Sequence, residues 1–296
     1  MKAYDITFLG HMCYDEITPF EGSIRVAPGS AVLCGALAAA RAGRRVAAIV
    51  KMAQRDAAIL QPMRDAGIDT YLIPAADTTY SCVIHPVPDV DVRRLILKKS
   101  AGLIRIHEIP PVRTRCLHLA GISDSEFDMD LILGLVGKGY SLSVDMQSFV
   151  RQVDPTTCEI VLRDVPQKQD IVRQMHKVKL DAVEAKLLTG SDDFEQAAGL
   201  FERWGCPETV ITRSGGVLAR VAGKSYLESL SQGNLMGRTG RGDTLFGAYL
   251  ARRLEHDPAD SLRFAAALVS IKLESPGPFS GTLEDVLLKM QECPAH

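Results

Sequence analysis

The sequence predicts an α/β fold: a largely parallel sheet covered by helices on both faces, with a small antiparallel β flap over one edge. Three observations carry this. Short apolar runs alternate with segments of helical period along most of the 296 residues, which is the pattern of strands buried on both faces by crossover helices. The alternation breaks from residue 70 to about 97, where the sequence turns β-like on both sides of Pro86-Val87-Pro88-Asp89. Late in the chain, a loop with glycines at 237, 240 and 242 runs directly into the apolar helical pattern that begins at Thr244.

The elements follow in order. Residues 6–9 form a first short apolar run, and residues 13–25 lack a helical period. The alanine-rich stretch 31–42 reads as a helix, 46–50 as a buried strand and 57–66 as a helix. Residues 78–84 and 93–97 are β-like, with the proline turn between them. Beyond them, 116–120, 142–144 and 209–212 read as strands, and 129–136, 185–188, 197–204 and 244–254 as helices. A last helix over 259–273 ends at Ser275-Pro276-Gly277-Pro278. In such sheets ligands bind beyond the carboxyl ends of the strands, which is where Asp145 and Arg213 fall.

Composition narrows the function. Hydrophobic residues at 46% and charged residues at 24% suit a water-soluble protein with a sizeable core. The formal net charge is -2, and the arginine pairs at 44–45, 93–94 and 252–253 are scattered, so no nucleic-acid footprint is expected. No apolar run approaches the roughly 20 residues that span a bilayer, and the first residues do not resemble a signal peptide. Seven dispersed cysteines without a CxxC pair read as thiols of a reducing, cytoplasmic protein. The seven histidines form no HxH or HExxH pattern, which argues against a protein-held transition metal.

The glycine loop carries the chemistry. Backbone N–H groups and the positive end of a helix dipole converge there on an anion. Asp243 sits at the junction, where its carboxylate can take a proton from an attacking hydroxyl. A phosphate cradle beside a base describes a phosphotransferase site; the loop is neither a GxxxxGK[ST] loop nor an early GxGxxG. The bland alternative is that Asp243 merely caps the helix. Thr212-Arg213-Ser214-Gly215-Gly216 reads as a hairpin turn that, near a nucleotide, brings backbone, Thr212 and Arg213 to phosphates. Asp181 and Glu184 read either as a capping box or as a site where Glu184 organises waters on magnesium. Asp15, after the first strand, is either solvated or an acceptor for two substrate hydroxyls; His11 is expected to be structural.

Taken in this order, the segments resemble the ribokinase-like (PfkB) family of carbohydrate kinases over essentially the whole chain. Gly240-Arg241-Gly242-Asp243 is similar to the family's GAGD signature, which implies Asp243 as catalytic base and the backbone of Gly240, Arg241 and Gly242 as anion hole. Asp181–Glu184 resembles the NxxE motif, residues 212–216 the nucleotide-binding TRGxxG turn, and Gly29 with Ser30 the GG substrate loop. The resemblance implies a three-layer α/β/α sandwich, one domain over 1–296, with a β lid from about 11–28 and 70–100. It implies ATP as donor, contacted by Asp181, Glu184, Thr212, Arg213 and Gly215, with magnesium held through water by Glu184. Arg241, Asp181 and Ser30 depart from the family's alanine, asparagine and second glycine. Cys34 replaces a sugar-binding asparagine, which argues against ribose. The segments around Asp15 and over 145–151 resemble plant-type myo-inositol kinases, so Asp15, Gly29, Ser30, Asp145, Gln147 and Arg151 are expected around a cyclitol or sugar. A nucleoside kinase of the same fold and a non-catalytic nucleotide-binding regulator are the alternatives. Unpaired lid edges suggest a homodimer.

Overall fold

The computed structural model describes residues 2–89, 92–213, 215–230 and 239–292. Ser214, Gly237 and Arg238, which belong to the two expected phosphate-binding turns, lie outside the described residues. The first third of the chain forms β1 (Ala3–His11), β2 (Cys13–Thr18), β3 (Arg25–Gly29), α1 (Ala31–Arg41), β4 (Val46–Ala53), α2 (Gln61–Asp65), β5 (Asp69–Ala75), β6 (Thr79–Ile84) and β7 (Arg94–Lys99). The middle forms β8 (Arg113–Leu119), α3 (Met129–Gly137), β9 (Leu142–Asp145), α4 (Gln147–Val150), β10 (Arg151–Val153), β11 (Ile160–Leu162), α5 (Lys168–Arg173), β12 (Lys177–Asp181), α6 (Ala182–Thr189) and α7 (Phe194–Arg203). The last part forms β13 (Glu208–Arg213), β14 (Gly216–Val221), β15 (Lys224–Ser229), α8 (Arg241–Arg252), α9 (Pro258–Leu273) and α10 (Leu283–Glu292).

Nine strands make the central sheet, in the order β15-β14-β13-β12-β9-β8-β1-β4-β5. Every neighbouring pair from β13 to β5 is parallel, and β14 and β15 extend the sheet antiparallel. Strand residues alternate between two cores. Phe8, Ala48 and Val50 face α1, α8 and α9, while Leu9, Ala47 and Ile49 face the layer of α3, α5 and α7. That two-sided burial is why these strands read as continuous apolar runs.

A second sheet of four strands, β3-β2-β6-β7, stands over one end of the first. Its outer pairs, β3 with β2 and β6 with β7, are antiparallel as expected from sequence, but its central pair, β2 and β6, is parallel. The cause lies in the main sheet: β1 and β5 run the same way, and each continues into the flap after a short link, through Met12 and through 76–78. Residues 70–75, expected within the flap, instead form most of β5, the edge strand of the main sheet. With only three residues between β5 and β6, no turn or helix signal separates them in the sequence.

One close approach positions everything that follows. α1 and α8 lie against each other at Gly35 and Gly247, where a Cβ on Gly247 would fall on the Gly35 carbonyl oxygen. The two glycines let the backbones touch, bringing the start of α1 and the start of α8 to the same end of the sheet.

Candidate active site

Between the carboxyl ends of the parallel strands and the underside of the four-stranded sheet lies a cavity of about 980 Å3. Asp15 and Ser81 reach it from the flap, Ser30 from the start of α1, Gln147 and Arg151 from the segment after β9, and Lys179 and Asp181 from β12. The turn Gly240-Arg241-Gly242-Asp243 closes one wall at the start of α8.

That turn needs its glycines for stated reasons. Gly240 adopts φ 73°, and a Cβ there would fall on the Cys34 sulfur. A Cβ on Gly242 would come within 2.8 Å of Lys179 Nζ. The first backbone hydrogen bond of α8 runs from Thr244 N to Gly240 O at 2.9 Å, so the N–H groups ahead of it belong to the helix's unsatisfied first turn. Behind the turn stand two buried ammonium groups. Lys179 Nζ donates to Asp145 Oδ2 at 2.7 Å, and Lys272 Nζ donates to Thr239 O at 2.6 Å. Burial works against the charge on Lys179, but the carboxylates of Asp145, Glu184, Asp243 and Asp181 outweigh it and hold the group above the usual lysine range. Neither lysine was singled out from sequence. Signals were present, although no strand is expected from sequence at 177–181: Lys179 lies between the apolar Val178 and Leu180, and Lys272 follows Leu268 and Val269 by four and three residues on the apolar stripe of α9.

Asp243 is tied to the segment after β9. Gln147 Nε2 donates to Asp243 Oδ1 at 3.1 Å and to the Gly121 carbonyl at 2.9 Å. Gln147, expected as a substrate ligand, thus lines the cavity with its amide spent on the carboxylate of the turn. Asp145, also expected to meet substrate, does not reach the cavity. It is buried, and its second oxygen accepts the Gln147 N–H at 3.1 Å. A strand that ends between two buried layers leaves its last side chain no route to solvent, so Asp145 serves Lys179 instead.

On the flap side, Asp15 Oδ1 accepts from Ser81 Oγ at 2.5 Å and Cys13 Sγ at 3.4 Å. Burial raises the Asp15 carboxyl above its usual range, against those two hydrogen bonds. Gly29 lies against the same carboxylate, and a Cβ there would fall on Asp15 Oδ2. Ser30 caps α1, its Oγ accepting the Leu33 N–H at 3.0 Å, with φ at 153°. That backbone conformation favours glycine, which accounts for the family's preference at this position. His11, expected to be structural, is buried with its ring between Thr79 Oγ1 at 2.8 Å and the Gly102 carbonyl at 2.9 Å. Ile17, Val83, Leu95, Ile122 and Ile160 also line the cavity, as do the charged Glu21, Arg25 and Arg93, with Arg93 near enough to act on the Asp15 carboxyl.

The opposite half is basic, lined by Arg151, Lys179, Arg213 and Arg241. Thr212 lines it as well, and Arg213 lies over the Phe194 ring at 5.6 Å. Gly215 does not line it; its carbonyl accepts the Leu230 N–H at 3.2 Å. Asp181 and Glu184 form the capping box: Asp181 Oδ1 accepts the Glu184 N–H at 2.9 Å, and Glu184 Oε2 accepts the Asp181 N–H at 2.8 Å. Glu184 is buried, off the cavity lining, with Arg151 Nε 3.9 Å from its other oxygen. Burial and then the Asp181 charge push its carboxyl up to about 7. Asp181, not Glu184, is the carboxylate of the pair that lines the cavity. Among the described residues, no group of three His, Cys, Asp or Glu side chains gathers as a metal site. No helix among them is long and apolar enough to cross a membrane.

Comparison with known proteins gives the same class. No family model matches the chain. Among curated proteins, a cytidine kinase of Thermococcus kodakarensis is 26% identical over 258 residues, covering 83% of this chain and 87% of that one. A pyrophosphate-dependent kinase in the ribokinase family, solved with a pyrophosphate analog and myo-inositol, is 27% identical with a TM-score of 0.86, covering 96% of this chain and 99% of that one. Arabidopsis thaliana ribokinase, solved with ribose and ATP, shares the fold at a TM-score of 0.76 and 16% identity, over 98% of this chain and 99% of that one. The chain has the fold of the ribokinase-like kinases, and the proteins it matches in sequence and fold are kinases, which are phosphotransferases.

Proposed function

We propose that this protein moves the terminal phosphoryl group of ATP to a hydroxyl of a small polyol, with myo-inositol or a near relative as acceptor and the whole chain acting as one cytoplasmic kinase unit. The observation that carries the reading is Asp243, fixed by Gln147 at the mouth of the glycine turn and sharing one cavity with the hydrogen-bonded carboxylate of Asp15. Asp243 accepts the proton of the attacking hydroxyl, as a positioned carboxylate does in general-base catalysis. The N–H groups of Gly240, Arg241 and Gly242 face the charge on the transferring group, since phosphoryl transfer is mainly positioning and electrostatics. Asp15 and Ser30 orient the acceptor's hydroxyls. Thr212 and Arg213 approach the donor's phosphates. Magnesium, held by the donor's own oxygens and by waters facing Asp181, would neutralise phosphate charge.

Two observations support second readings. Four cations line the donor half, which suits a compact, densely charged donor such as pyrophosphate, the donor named for the structural relative. The aliphatic side chains lining the cavity suit the flat face of a nucleoside base, the acceptor class of the curated relative. Product formation from myo-inositol, ribose, fructose and cytidine, each with ATP and with pyrophosphate, separates these readings. A kcat/KM preference for myo-inositol with ATP is expected; preference for cytidine or for pyrophosphate overturns that half of the proposal. Asp243→Asn is expected to lower kcat by about two to four decades while donor binding is kept. Full kcat in that variant would remove Asp243 as the base.

A further inference from the structure

Asp15 and Ser81 stand side by side on the flap's central pair of strands. β2 and β6 run parallel with Asp15 directly opposite Ser81 in the register, so both side chains leave the sheet on one face. That face lines the cavity, as Ile17 and Val83, two residues further along each strand, also do. Ser81 is buried, and its Oγ donates to Asp15 Oδ1 at 2.5 Å, the length of a hydrogen bond to an ionised carboxylate. The Cys13 thiol meets the same oxygen at 3.4 Å. Both donors use Oδ1. Oδ2 lies against Gly29, where a Cβ would fall on it, and is the oxygen those donors leave to a hydroxyl in the cavity. The terminal torsion of an aspartate is broad, so without a partner on Oδ1 the carboxylate plane would turn. A serine hydroxyl fixed on the neighbouring strand removes that freedom.

We infer that Ser81 is a positioning residue of the acceptor site: its hydroxyl holds Oδ1 of Asp15 so that Oδ2 meets the acceptor's hydroxyl in a fixed orientation. The inference rests on the reading of Asp15 as an acceptor ligand given above. Burial raises the Asp15 carboxyl, and the hydrogen bonds from Ser81 and then Cys13 work against that. Also facing it are Asp243 on α8, which raises it, Arg93 ahead of β7, which lowers it, and the Cys34 thiol of α1. Removing the Ser81 hydroxyl therefore lets Asp15 take up a proton at a higher pH, and a protonated carboxyl has less capacity to accept from hydroxyls.

The test uses the full chain with myo-inositol and ATP, or with whichever acceptor and donor of the panel above the wild type turns over fastest. Ser81→Ala is expected to lower kcat/KM for the acceptor at least about tenfold at pH 7, chiefly through KM, with the KM of the donor unchanged. Acceptor KM should rise on acidification as Asp15 is protonated, and in Ser81→Ala that rise should begin roughly one pH unit higher, with the pH profile of kcat kept. In an Asp15→Asn background, Ser81→Ala should cost less than about threefold, because the two act as a unit. Ser81→Cys, which fills nearly the same space with a weak donor, covers the case in which the alanine variant does not fold; its acceptor KM should shift in the same sense. An unchanged acceptor KM and pH profile in folded Ser81→Ala would overturn the inference. So would an equally large loss in the Asp15→Asn background, which would separate Ser81 from Asp15. If Asp15→Asn itself left acceptor KM unchanged, the reading of Asp15 would fail instead, and a wild type that transferred no phosphoryl group to any acceptor would end the kinase reading.

Discussion

The side chains nearest the proposed chemistry hold one another. The seven residues from Asp145, the last of β9, to Arg151 supply Asp145 to Lys179, Gln147 to Asp243 and Arg151 to the neighbourhood of Glu184. A hydrogen bond to an ionised group contributes about 1.5–3 kcal/mol, so Gln147→Leu is expected to lower kcat roughly 10- to 100-fold. KM for the acceptor should stay within a few-fold; a raised KM at unchanged kcat would instead make Gln147 a substrate ligand. Glu184 gives a pH prediction. Its carboxyl is raised to about 7 from an ordinary 4.5, so between those values the folded state binds more protons than the unfolded state. Stability from this group is therefore present at low pH and lost as pH rises toward 7. His118 acts in the opposite sense, because burial lowers it to about 3 and the unfolded chain takes up the proton first as pH falls. The Glu184→Gln variant keeps the capping geometry and isolates the carboxyl. Denaturation midpoints of the two proteins should converge at acid pH, with the glutamine variant ahead at pH 7.5; parallel curves would contradict the assignment.

Among the elements, the pairing of α1 with α8 decides whether the site exists. Ser30 starts one helix and Gly240 the other, and the contact of Gly35 with Gly247 sets their separation. In an ordinary helix interior, glycine to alanine gains up to about 1 kcal/mol. Here the added carbon would fall on a backbone oxygen that no rotamer change can move. Gly247→Ala is expected to destabilise the protein by roughly 1–3 kcal/mol through overpacking and to lower kcat, read by urea denaturation and steady-state assay; a more stable variant would show that the helices separate freely. The helical period of both segments is plain in the sequence, but their contact is not, because nothing in one helix's pattern specifies which glycine of another will face it.

Over the whole molecule, the flap's two edges differ. The β7 edge is covered by the β10–β11 hairpin, with Leu97 N donating to Cys158 O at 2.8 Å and Arg94 paired with Glu159 at 3.0 Å. The β3 edge has no strand beyond it among the described residues and carries exposed Val26 near exposed Phe20 and Ile24. A homodimer, if the unpaired edge is what drives it, should therefore form through β3. Light scattering at micromolar concentration is expected to give twice the chain mass and Val26→Lys half of that; a wild-type mass of one chain would end the idea.

The sequence by itself determined the alternation of strands and helices, the flap's existence, the glycine turn with Asp243, and the order of segments that marks the family. Each is a local pattern: a period, a turn chemistry, a spacing. Tertiary structure alone decided the parallel pairing of β2 with β6, the assignment of residues 70–75 to the main sheet, and the fate of the charged groups. Asp145 reads as a ligand in sequence and is a buried partner of Lys179; of the two readings for Glu184 the structure shows the capping box; and the sequence does not say that Lys179 meets Asp145 or that Lys272 meets the Thr239 carbonyl. The reason is physical. What a charged side chain does depends on the groups that replace its water when it is buried, and those groups come from strands and helices far along the chain.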